Sequence, residues 1–142
     1  MEGNIELLNF IHQNAEMGKD TIGQLLGIVE DGPFKEKLGY QYKEYNEIFD
    51  IARDRIQQGK ESSKGIGELA KLRSYIMINL STLMNKTPSH IAEMMIQGST
   101  MGIIDITKKL KEYGDADIDI QLLGERLLKF EQQSVEEMKG FL

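Results

Sequence analysis

A chain of 142 residues with 23 acidic and 17 basic side chains carries a net charge of −6, a length that suits one domain burying roughly 70% of its unfolded-chain surface and a charge that disfavours a phosphate backbone as partner. The absence of cysteine excludes disulfides, thiolate metal sites and cysteine nucleophiles. The opening "MEGNIELLNF" has no basic region ahead of an apolar run, and no apolar stretch approaches the ~18 residues of a membrane span, so a soluble cytoplasmic protein is expected, with neither membrane nor nucleic acid as partner.

Both prolines, Pro33 and Pro88, sit where helices would start, and no segment sustains a period-2 alternation, so the chain is expected to be all-α. A first helix from Asn4 to Glu30 places Leu8, Ile11, Ala15, Gly18, Ile22, Leu26 and Val29 on one face. "EDGP" stops it. A second helix from Pro33 to Gln58 has the seam Phe34, Leu38, Tyr42, Tyr45, Phe49, Ala52 and Ile56, and "GKESSKGIG" then reads as a polar linker. A shorter third helix, about Glu68 to Asn85, carries Leu69, Leu72, Ile76, Leu80 and Leu83. "TPSH" makes Thr87 the N-cap and Pro88 the first residue of a fourth helix reaching Tyr113. "GDAD" breaks it, with Gly114 ending the helix and Asp115 or Asp117 capping a fifth that runs to the C-terminus through Leu123, Leu127, Phe130, Ser134, Met138 and Phe141.

The first two helices lie over the last two at a shift of 84 residues without a gap: Gln13 on Gln97, Met17 on Met101, Gly18 on Gly102, Ile22 on Ile106, Leu26 on Leu110, Asp31 on Asp115 and Leu38 on Leu122. The layout is a single domain over 1–142, with a hairpin over 4–58, a linker and crossover helix over 59–86, and a second hairpin over 87–142.

Two long hairpins joined by a connection with its own helix, together with the run "KLRSYIMINLSTLMNKTPSHIAEMMIQGS" at 71–99, resemble the ferritin-like superfamily, and within it an uncharacterised bacterial family of similar length. The likeness is in element order and apolar pattern. It implies a ferritin-like four-helix bundle with an additional crossover helix. In metal-binding branches the first and fourth helices each bring a glutamate and the second and fifth each bring Glu-x-x-His, six ligands for two iron or manganese ions.

Neither histidine, His12 or His90, closes a Glu-x-x-His here. At about 100° per residue, Glu44 lies about 110° from the seam of the second helix, Glu47 nearly opposite it, and Glu16 more than ~100° from the stripe of the first. The repeat partner of Glu16 is Thr100. Glu131 and Ser134 lie within roughly 40° of the apolar centre of the fifth helix, with serine where a histidine would stand. The simplest reading makes Glu16, Glu44 and Glu47 a solvated face, Glu131 a flank residue paired with a lysine, His12 a hydrogen-bonded flank residue and His90 a first-turn residue. On that reading no metal is bound; Glu16, Glu44, Glu131 and His12 are the candidates for a reduced iron or manganese site.

Tyr42 and Tyr45 fall on the inward seam beside Gln41, and a buried phenol needs a partner, so they are candidates for the polar centre that metal ligands hold elsewhere. Met77, Met84, Met94, Met95 and Met101 suit either an irregular core or an apolar binding groove. Gly98 and Gly102 lie one turn apart inside a helix at about 1 kcal/mol each, a cost that close approach by another helix would justify. No phosphate-binding loop and no Ser-His-Asp set is present. The expectation is a non-catalytic bundle working through self-association, as a homodimer, or through protein contacts, in a bacterial stress or sporulation setting that the resemblance implies. Its rivals are a di-metal oxidoreductase or metal-binding protein with a reduced site and a small apolar-ligand carrier.

Overall fold

The computed structural model describes residues 2–59 and 85–142. Among them the chain is all-α, with four helices and no strand: α1 (Glu2–Leu26), α2 (Gly32–Gly59), α3 (Pro88–Glu112) and α4 (Ile118–Lys139). The last two are the expected fourth and fifth helices. The expected crossing helix, most of the linker before it, and Met77 and Met84 lie outside the described residues.

The helix ends follow local chemistry. α1 stops at Leu26, four residues before its predicted end, where the amides of Gly27 and Ile28 turn back onto the carbonyls of Gln24 and Leu25 at 3.1 and 3.0 Å. The carboxylate of Asp31 then accepts the Phe34 amide at 3.0 Å and starts α2. Thr87 caps α3 as its sequence requires, its hydroxyl oxygen accepting the His90 amide at 3.3 Å. Asp117 is the N-cap of α4, and its own amide donates to the Asn4 side chain at 2.7 Å.

The buried face of α2 is Phe34, Leu38, Gln41, Tyr45, Ile48 and Ala52, an alternation of four and three steps that is more regular than the expected seam. Tyr42, Phe49 and Ile56 sit on its flank, partly buried. Leu7, Leu8, Ile11, Ala15, Ile22 and Leu25 of α1 and Ile120, Leu123, Leu127, Phe130 and Met138 of α4 complete most of the core. Each fully buried side chain of this size contributes about 1.5–3 kcal/mol. α3 buries only Ile91, Ala92, Gly102 and Ile106.

Contacts at the two ends fix the helix directions. At one end Asn4 of α1 meets Asp117 of α4, and Arg55 near the end of α2 donates to Asp117 and Asp119 at 2.9 and 2.8 Å. At the other, Phe34 of α2 packs edge-on against Phe141 at 4.7 Å, just beyond α4. α1 and α4 therefore run one way, α2 and α3 the other, and the end of α2 and the start of α3 lie at opposite ends of the molecule. α1 packs along α2 and α3 along α4, while the two hairpins meet chiefly where α1 and α4 touch. No described helix is long and apolar enough to cross a membrane.

Candidate functional site

Where the helices converge at mid-height, two glycines make room for two polar side chains. A Cβ on Gly18 of α1 would lie 2.5 Å from Cζ of Tyr45, and one on Gly102 of α3 would lie 2.5 Å from Oε2 of Glu131. Each glycine is thus a seat for a side chain from its own hairpin partner, the phenol in the first hairpin and the carboxyl in the second. The two meet at the centre, where the Tyr45 hydroxyl donates to Glu131 Oε2 at 3.1 Å. Gly18 and Gly102 are a matched pair at the 84-residue shift. Their guests are not: the residue 84 positions before Glu131 is Glu47, whose side chain is 63% exposed.

Glu131 is 2% exposed and Tyr45 6%. Burial, reinforced by the negative charge of Asp105, pushes the Glu131 carboxyl up to about 8, against the opposing effect of the Tyr45 hydrogen bond. Burial and the neighbouring Glu131 carry the Tyr45 phenol well above its ordinary value, with the Ser99 hydroxyl bonding to it in partial compensation. The second carboxyl oxygen, Oε1, is buried without a hydrogen-bond partner, and so is Nε2 of Gln41, itself 2% exposed. Orphans of this kind are uncommon, because each costs about 1–3 kcal/mol.

Both residues border a half-open cavity of about 200 Å³ lined by residues from all four helices. Its walls are mainly apolar, with Met17, Ile22, Leu25, Met94, Met95 and Met101 among them, and Gly98 leaves open space for a Cβ. An engineered apolar cavity of about 150 Å³ holds benzene, so this one is of small-ligand size.

The expected metal candidates are not brought together. Among the described residues no three of His, Asp and Glu gather as a metal group. Glu131 corrects its expected role outright: it is buried and bonded to a phenol, not a flank residue paired with a lysine. Glu44 and Glu47 jointly hold Arg126 of α4, whose Nε and Nη2 donate to Glu44 at 2.9 Å each while Nη2 lies 3.1 Å from Glu47. The guanidinium is held still more firmly protonated by them. Glu44 and Glu47, three residues apart on α2, are a cradle for arginine. His12 stacks on Phe49, ring centroids 4.5 Å apart, and Glu16 is half-buried on α1 outside the cavity wall. Ser134, in the histidine position, donates its hydroxyl to the Phe130 carbonyl of its own helix at 3.0 Å.

Helical phase placed Tyr45 and Ser134 inward and Glu47 outward, as observed, and brought Glu131 close to the apolar centre of its helix even though the simplest reading then set it on a flank. Sequence reasoning missed Gln41 as a core position, although the spacing 34, 38, 41, 45, 48, 52 was available, and it missed the glycine seats, since nothing in one helix shows which side chain lodges against it. Compared with protein-family models, curated proteins and solved structures, the chain matches none.

Proposed function

We propose that this protein is a non-catalytic helical bundle of the ferritin-like kind, one that carries a small, largely apolar molecule at the place where its metal-binding relatives hold ions. The observation that carries the reading is the cavity of about 200 Å³ among the four helices, lined by thioethers and aliphatic side chains together with Tyr45, Glu131 and Gln41. The helix directions, up, down, down and up, are those of two hairpins joined by one long crossover, which supports the ferritin-like assignment. Methionines suit a carrier, because flexible thioethers repack around guests of different shape.

The test is titration with cyclohexanol followed by methyl NMR. Shifts confined to the methionines of the wall, Met17, Met94, Met95 and Met101, are expected, with a ligand-dependent rise in melting temperature. Gly98→Leu, which grows into the open space of the cavity, should abolish both effects with the fold intact. Shifts spread over the surface, and equal in the variant, would refute the carrier reading.

Self-association is a second reading, supported by Met101 and Ile104, 45% and 48% exposed one turn apart on α3. Sedimentation of wild type against Ile104→Glu tests it: a dimer that the substitution splits supports an interface there, and a concentration-independent monomer removes it.

A further inference from the structure

We propose that the molecule this cavity is built for is a small organic cation, a primary ammonium or amidinium on an apolar body, seated with its charge on Oε1 of Glu131. The inference rests on the carrier reading and names the ligand's chemistry.

The cavity presents one formal charge centre and nothing to balance it. Glu131 is buried, one of its oxygens is taken by the Tyr45 hydroxyl, and the other has no partner. No lysine, arginine or histidine among the described residues lines the space. The basic group five positions earlier on the same helix, Arg126, is consumed by Glu44 and Glu47. The further charge acting on Glu131 is another carboxylate, Asp105. A buried carboxyl in these surroundings can be relieved by taking up a proton or by receiving a cation; only the second also uses a cavity.

The polar arrangement fits an N–H-rich head group. An ammonium has three donors and an amidinium four; Glu131 Oε1 takes one, and the side-chain amide of Gln41, unpartnered at Nε2, turns over to offer its carbonyl oxygen to another. The charge-assisted bond to Glu131 is roughly twice as strong as a neutral one. Met94, Met95, Ile22 and Leu25 line the same cavity and provide apolar surface for a ring or short branched chain. A neutral head group that accepts a hydrogen bond is served only while the Glu131 carboxyl holds its proton, and leaves Oε1 uncompensated once that carboxyl is ionised.

Binding of such a cation displaces the proton from Glu131, so affinity should rise with pH until that carboxyl is ionised and then level off. The titratable groups facing it are Tyr45 from α2 and Asp105 from α3, while α1 contributes no titratable side chain to the wall among the described residues. Tyr45 stays protonated across that range, which leaves Glu131 as the group that sets the profile.

The experiment compares cyclohexylamine with cyclohexanol, equal in body and different in charge, by calorimetric titration of the 142-residue chain at pH 8.5, with Glu131→Gln and wild type side by side. Cyclohexylammonium, protonated there like a lysine side chain, is expected to bind wild type about tenfold or more tighter than cyclohexanol, and Glu131→Gln should erase that advantage. Cyclohexanol should bind both proteins alike. If cyclohexanol binds wild type as tightly as the amine, or the amine binds equally well without the carboxylate, the cation assignment is overturned and the carrier reading stands. If neither compound binds, and Gly98→Leu matches wild type in both titrations, the carrier reading falls with it. The wild-type comparison of amine and alcohol decides the question even should Glu131→Gln fold poorly.

Discussion

A carboxyl that ionises near pH 8 inside a folded chain and near 4.5 outside it makes stability fall as pH rises. Between those values the folded protein holds a proton that the unfolded chain has lost. The contribution of Glu131 is therefore fully present below about pH 4.5, declines through the interval and is gone above about 8. A cost on the order of a few kcal/mol is involved. Glu131→Gln keeps the shape without the charge, so its denaturant midpoint should exceed that of wild type at pH 8.5 and differ little at pH 5. Equal midpoints at both values would mean that the carboxyl is not desolvated as the geometry requires. The glycine seats make a second residue-scale case. Gly18→Ala forces a methyl into the Tyr45 ring and should lose about 1–2 kcal/mol even after the gain in helix propensity. Gly39→Ala, with nothing within 4 Å of its added Cβ, should gain up to about 1 kcal/mol. Chemical denaturation of the pair distinguishes a seat from an ordinary helical glycine.

At the scale of elements, α2 is tied to α4 by the Arg126 cradle and by Arg55 on Asp117 and Asp119. The first is bidentate and partly sheltered, so it should contribute near 1 kcal/mol and weaken with salt. Arg126→Met retains the aliphatic stem and should lower the unfolding free energy by about that amount in dilute buffer and by less in 1 M salt; a loss unaffected by salt would assign the effect to packing. The helices themselves were legible because prolines, caps and a 3-or-4 apolar spacing are local signals. The rotation of α2 was not fully so. Tyr42, Phe49 and Ile56 are as apolar as true core residues, and Gln41 is polar, so hydropathy turned the seam toward the flank. What places Gln41 inside is the regular spacing of its neighbours and the cavity it faces, and only the second of these requires knowing the other three helices. The same limit hid the role of Arg126: the Glu44 and Glu47 pair is visible in sequence, but whether it holds a metal or a guanidinium depends on which residue of α4 comes opposite.

For the whole molecule, the uneven burial of α1 has a consequence for motion. α1 is tightly covered from Leu7 to Ala15, whereas from Met17 to Leu25 one flank borders the cavity. Amide hydrogen exchange should therefore be slower in the first stretch than in the second, and a bound ligand should slow the second selectively. Uniform protection along α1 would show that the cavity does not loosen the hairpin contact.

The mismatch of guests in otherwise matched glycine seats also determines which halves can associate. One hairpin offers a phenol and the other an acid, and the central hydrogen bond forms only when one of each is present. Two copies of the first hairpin would meet hydroxyl to hydroxyl, and two copies of the second would bring together buried carboxyls that resist sharing a site. The sequence thus encodes a preference for unlike halves, whether the two come from one chain or from two, even though the hairpins share a common pattern.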